Sequence, residues 1–384
     1  MNITNCINKY IEKEIISYNE QKKEQLNSTL NIINEINKFR DKKVPDTFWK
    51  KLHKLSVSGG FITNKNRKII YSFILDKLIQ KNTLKTNKGK NNINKYKADI
   101  KKDCNRTKCL LNFLGKYKIP ENDVNIYIKN LEDFIINTLQ YDENFNYYQG
   151  YNYLCLCFMI IFGDDTYYMY CFSEIFLGYI LYNKYINDDI LYIIDDCCFF
   201  LNEKISKFIE GMSEPKDKYK PHHYALPWIL ALFSRNNNLL DEMRLLDYFI
   251  TSNISHLYFL CANIIINKCN SLFELNKELK YSTFNSHLSD YIIKPDNICG
   301  LIKQNEMINQ RIFDDILKKY ENYNFYPYLS NKIYSINIFE DYSSNMKIFS
   351  KKIFKDYSIK YLMFFKSLIF LFFSFIIKKL FEYN

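Results

Sequence analysis

Nine glycines and seven prolines serve all 384 residues, and this scarcity limits the possible folds more than any other property of the chain. Sheets joined by tight hairpins need residues that tolerate positive φ, or carry a fixed φ, at every reversal. Long helices with polar connections need far fewer. The apolar residues fall at helical spacing, in agreement. Ile69, Ile70, Phe73, Ile74 and Leu78 line one side of Asn64–Gln80. Leu131–Leu139 and Tyr151–Phe162 read as apolar helices, the second closed by Gly163-Asp164-Asp165. Further helices are predicted around 168–182, 187–210, 224–234, 241–250 and 254–269. Residues 1–38 alternate Ile and Leu with charged and amide side chains and predict one or two amphipathic helices, too charged for a secretory signal. The polar run 81–97 is expected to be a flexible loop, and 290–355 has irregular apolar spacing. The expected fold class is all-α.

A formal charge of +11 raises nucleic-acid binding as a possibility. The sequence speaks against it: Lys, Asn, Ile and Tyr are enriched everywhere, and no Arg-rich stripe or aromatic recognition motif accompanies the lysines. The 11 cysteines are scattered without a Cys-x-x-Cys, and the five histidines do not pair with them at ligand spacing, so no metal centre is expected. The odd cysteine count suits a reducing cytosol. No Gly-rich phosphate loop is present, and Ser56-Val-Ser-Gly-Gly60 lacks the frame of a nucleophile elbow. A chain of this kind would act on a nucleotide only where a partner holds it.

Two short motifs carry the chemistry. In Ile100-Lys-Lys-Asp103-Cys-Asn-Arg106-Thr107, helical spacing brings Asp103 within reach of Arg106, where it can fix the guanidinium in one rotamer. In Asn146-Tyr147-Tyr148-Gln149-Gly150-Tyr151-Asn152, a glutamine beside a permissive glycine can present its amide from a rigid helix start. A guanidinium and an amide together can stabilise charge on a transferring phosphoryl group and orient the attacking water. Taken singly, the first motif reads as an ordinary surface ion pair and the second as a polar cap in a loop. Trp228 reads as core, Arg244 with Asp247 as a structural i,i+3 ion pair, and His222-His223 as a loop or helix entry.

As a pair, in this order, the motifs resemble the TBC family of Rab GTPase-activating proteins. That family's pattern is Ile-x-x-Asp-x-x-Arg, then Tyr-x-Gln-Gly, then a Trp-containing helix followed by Arg-Leu-x-Asp. Here these are Ile100, Asp103 and Arg106; Tyr147, Gln149 and Gly150; then Trp228 with Arg244 and Asp247. Leu55–Thr63 followed by Arg67 is similar to the family's opening helix, with Tyr71 where the family usually has Trp.

The resemblance implies a wholly helical domain over 50–275 that docks on a GTP-bound Rab. It implies Arg106 as an arginine finger, Gln149 as a glutamine finger replacing the Rab's own glutamine, and Asp103, Tyr147 and Gly150 in support. Ile100, Trp228, Arg244 and Asp247 belong to its scaffold. The chain would need no cofactor of its own, because the Rab holds GTP and Mg2+. A non-catalytic Rab-binding scaffold at a membrane is the alternative.

Around this domain the sequence divides into an N-terminal extension (1–49), an Asn/Lys/Tyr-rich linker (276–357) and a C-terminal segment (358–384). The apolar run 361–377 is expected to be a transmembrane helix inserted in the lipid bilayer. With it, the chain resembles the tail-anchored subclass of the family, on the cytosolic face of the endoplasmic reticulum.

Overall fold

Among the described residues, every regular element is helical. The structure, a computed structural model, describes residues 23–81, 93–108, 120–182, 222–234, 238–252 and 295–306, with a few isolated positions between them. All lie in one of the two units into which the chain divides, Met1–Tyr334. The expected membrane segment 361–377 lies outside the described residues, as do most of the predicted helices 187–210 and 254–269.

The helices are α1 (Lys23–Phe39), α2 (Asp46–Ser58), α3 (Asn64–Lys81), α4 (Lys97–Arg106), α5 (Glu121–Leu139) and α6 (Tyr151–Phe162). Then follow α7 (Tyr167–Phe172), a π-helical turn (Ser173–Leu177), α8 (Gly178–Leu181), α9 (His222–Leu230), α10 (Leu239–Phe249) and α11 (Pro295–Glu306). Helix α6 is apolar all round and buried along its whole length, as such a composition requires. It packs against α3, α4, α5, α7 and α10.

A buried ion pair closes the fold across the chain. Arg67 of α3 grips Asp247 of α10 with two parallel bonds, Nε to Oδ1 and Nη2 to Oδ2, each 2.9 Å. The remaining acceptor sites of the carboxylate take the Tyr71 hydroxyl at 2.8 Å and the Phe61 backbone N–H at 3.0 Å. Burial first, then the Asp247 carboxylate, raises the Tyr71 phenol well above its usual range, so it stays a donor. A tryptophan at this place would also offer a single N–H donor; tyrosine preserves that function with a hydroxyl. Gly60, at φ +76°, sits directly over the carboxylate, where a Cβ would fall 2.5 Å from Asp247 Oδ2. Glycine is needed here for both its conformation and its lack of a side chain.

The hydrogen bonds of Asp247 thus go to the distant Arg67, and Arg244, three residues before it, acts on it through charge. Arg244 instead donates from Nη2 to the Val57 carbonyl at 2.9 Å, and burial lowers its pKa from the usual arginine value. The segments flanking the expected domain carry structure of their own. Helix α1 packs on α2 and α3, and Gln25 Nε2 donates to the Leu55 and Gly60 carbonyls, so it is part of the fold. Of the loop expected over 81–97, residues 82–92 lie outside the described residues, and its end forms a 3-10 turn at Ile93–Tyr96 and the start of α4, because Ile93 is buried in the core and Tyr96 bonds Asn146 Oδ1. The linker contains α11, whose Ile298, Leu301 and Ile302 enter the core.

Helix α11 ends in a polar clasp. Glu306 takes His53 Nε2 at 2.8 Å, the Tyr248 hydroxyl at 2.7 Å and His256 Nδ1 at 3.2 Å. Burial opposes its charge, but hydrogen bonds and charge from His256 and His53 outweigh it and hold Glu306 below the usual carboxylate range.

Arg67→Met should cost about 3–5 kcal/mol in urea unfolding, because it leaves Asp247 buried without its counter-charge. The exposed Lys51–Glu35 pair is the control, and Lys51→Ala should cost under about 1 kcal/mol. Equal effects of the two substitutions would show that the buried pair is not what closes the fold.

Candidate functional site

Helix α4 turns Ile100, Asp103, Cys104 and Thr107 inward and leaves Lys101, Lys102, Asn105 and Arg106 outward. This i, i+3, i+4, i+7 spacing is that of a single buried helix face. Asp103 thus lies beneath the surface while Arg106, in the last turn, stands at the edge with its side chain 47% exposed. Arg106 Nη1 donates to Asp103 Oδ1 at 3.0 Å. The positive charge also suits the negative end of the helix dipole.

The second motif is a strap pinned at successive residues. Asn146 donates its backbone N–H to the Leu181 carbonyl at 2.7 Å and accepts from the Tyr96 hydroxyl at 2.8 Å. Tyr147 donates its hydroxyl to Asp103 Oδ2 at 3.0 Å. Tyr148 donates to the Leu230 carbonyl at 2.9 Å. Gln149 then stands exposed, and Gly150 turns the chain into α6 at φ +110°. A Cβ on Gly150 would meet Ala231 Cβ at 3.6 Å, so space is adequate and it is the left-handed conformation that calls for glycine.

Asp103 joins the two motifs. One carboxylate oxygen holds Arg106 and the other accepts from Tyr147, two residues before Gln149. Burial first, then the Asp103 charge, raises the Tyr147 phenol far above its ordinary value, so this bond is always made with tyrosine as donor. Of the residues expected at this site, Ile100, Asp103, Tyr147 and Gly150 are buried; Arg106 and Gln149 face solvent from neighbouring supports.

Trp228 contributes from behind. It is 2% exposed, stacks on Phe233 at 5.4 Å, and accepts the Phe233 backbone N–H at its carbonyl. The tight turn this makes, with Leu232 and Phe233 at positive φ, ends α9 earlier than expected and presents Leu230 and Ala231 to Tyr148 and Gly150. His222 opens α9, its backbone N–H and its ring both bonded to Asp195. Arg244 and Asp247 lie in the buried network around Gly60. Sequence reasoning assigned no role to Tyr148, Thr107 or Asn152. The only local signal was the amide of Asn152 inside an apolar helix.

Tyr147→Phe removes one hydroxyl and leaves Asp103 Oδ2 without that donor in a buried place. It should lower stability by about 1–3 kcal/mol in thermal unfolding. A melting curve equal to wild type would remove Tyr147 from the support of Asp103.

Residues 49–273 match the family model described as the Rab-GTPase-TBC domain, a span of more than half the chain that contains both motifs. No curated protein matches the chain.

Proposed function

This chain belongs to the Rab-GTPase-TBC domain family, and we propose that it accelerates GTP hydrolysis by a membrane-traffic Rab through two side chains supplied in trans. TBC domains act on Rab small GTPases. Arg106 is the arginine finger: its planar guanidinium neutralises charge gathering on the transferring phosphoryl group. Gln149 is the second finger, its amide offering both an acceptor and donors to hold the attacking water. Asp103 and Tyr147 fix the approach of the first finger, and the strap 146–150 that of the second. GTP and Mg2+ stay on the Rab. The chemistry is positioning and electrostatic stabilisation, with no covalent step on this chain.

The observation that supports this reading is the shared anchor at Asp103, which puts an exposed guanidinium and an exposed amide on rigid, neighbouring supports. Donors already oriented before the substrate arrives are what transition-state stabilisation needs. The test is single-turnover hydrolysis by a panel of GTP-loaded Rabs. Arg106→Ala should lose roughly 10³-fold or more of the stimulation, and Arg106→Lys should not restore it. Gln149→Ala should lose a similar order, and the double variant little more, because the two act as a unit. A Rab whose switch glutamine is changed to Leu should still respond in part. Binding of a Rab without acceleration would make the chain a binding scaffold instead.

The proposal extends to a tail anchor on the cytosolic face of the endoplasmic reticulum. Residues 361–377 are apolar apart from Lys366, two serines and a tyrosine, and as a helix would measure ~25 Å. That length suits a membrane thinner than average, and Lys366 could extend to the headgroups. The full-length chain should resist extraction from membranes by alkaline carbonate. Extraction, or an unchanged location after deletion of 358–384, would rule the anchor out.

A further inference from the structure

Asn152 stands three residues beyond Gln149 on the first turn of α6 and is 1% exposed. Its Nδ2 donates to the Asp103 carbonyl at 3.2 Å and to Thr107 Oγ1 at 2.9 Å. Thr107 Oγ1 in turn donates to the same Asp103 carbonyl at 3.0 Å. The Asp103 carbonyl also accepts the Thr107 backbone N–H, so these bonds gather on the turn that carries Arg106. Asn152 therefore ties the last turn of the arginine's helix to the beginning of the glutamine's helix.

The surroundings make a purely structural reason for this amide weak. Asn152 Oδ1 is buried with no hydrogen-bond partner, and an unsatisfied buried acceptor is unfavourable. Leucine, with the same branched skeleton of side-chain heavy atoms and matching its apolar neighbours Tyr151, Tyr153 and Leu154, would carry no such penalty. What leucine could not do is donate to α4.

We infer that Asn152 is a positioning residue that fixes the spacing and angle between Arg106 and Gln149. This rests on the Rab-activating reading above. The Tyr147 bond reaches the Asp103 side chain from the strap, and the Asn152 bonds reach the backbone at Asp103 and the side chain of Thr107 from the helix that follows it. Together they hold both sides of one residue. Loss of the side-chain bond lets Arg106 change rotamer; loss of the Asn152 bonds lets the whole end of α4 shift relative to the start of α6. A misplacement of about 1 Å at a reacting centre is enough to cost on the order of 10²-fold in rate.

The decisive comparison is between wild type and Asn152→Leu, with Thr107→Val as a second variant that removes one of the two acceptors. The first readout needs no Rab. Amide hydrogen exchange over 103–108 should quicken at least several-fold in Asn152→Leu, with exchange in α3 and α10 unchanged. The second is single-turnover hydrolysis on a responsive Rab. The maximal rate should fall by about 10²-fold while the concentration for half-maximal effect stays the same, and Thr107→Val should fall between. Binding to Rab·GDP with aluminium fluoride should weaken by a similar factor, with binding to a Rab loaded with a non-hydrolysable GTP analogue unaffected. Unchanged exchange at 103–108, or a loss confined to half-maximal concentration, overturns the inference. A wild-type chain that stimulates no Rab defeats the functional reading instead, and exchange at 103–108 still decides whether Asn152 ties the two helices.

Discussion

The buried pairing of Arg67 with Asp247 is the contact on which the arrangement of the domain depends. An aspartate that is almost wholly inaccessible is tolerable only if its charge is met and its lone pairs are filled. Arg67, Tyr71 and the Phe61 amide do both, from a segment nearly two hundred residues earlier in the chain. The geometry also sets the backbone around it. Ile62 adopts φ +69°, a strained conformation for a β-branched residue, and its carbonyl is held by Arg67 Nη1 at 3.2 Å. Because α3 and α10 both pack on α6, this pair fixes the bed on which the glutamine's helix lies.

Beside α6, Asp103 repeats on a smaller scale what Asp247 does in the core: a buried carboxylate with an arginine on one oxygen and a tyrosine hydroxyl on the other. The difference is that Arg67 is enclosed and Arg106 is not. An enclosed guanidinium is a structural element, whereas one that is about half exposed can meet a partner's charge. In this chain the same chemical grouping serves stability in one place and supports the proposed chemistry in the other, and solvent access separates the two.

Much of this could be read in the sequence, and the reasons for the rest are physical. Tyr151–Phe162 was evident because a helix buried on all sides needs no partner information to recognise. Helix α5 begins at Glu121, ahead of the predicted 131, because its first turns carry only scattered core residues, Tyr127 and Ile128, among polar ones. The π-helical turn at Ser173–Leu177 follows no apolar period; its Ser173 hydroxyl meets the Tyr151 hydroxyl at 2.7 Å, a contact that only the folded chain defines. Helix α11 was hidden in an irregular stretch, since what secures its end is Glu306 meeting histidines about 50 and 250 residues earlier. The spacing rule that correctly paired Asp103 with Arg106 also suggested Arg244 with Asp247. Local spacing shows which side chains can meet on one helix, and says nothing of a stronger distant claimant such as Arg67.

The residues that carry the two motifs were visible in advance, but the bonds that make them one site were not. Asp103 and Tyr147 are 44 positions apart, Asp103 and Asn152 49, and neither separation corresponds to any helical period. The contacts exist because α4 and α6 pack side by side, which leaves the last turn of one next to the first turn of the other. At this junction one buried amide, Asn152, donates to both the Asp103 carbonyl and Thr107 Oγ1. The same junction is where Arg106 and Gln149 both reach the surface. The bonds that tie these two helix ends and the proposed chemistry thus make the same demand on the backbone.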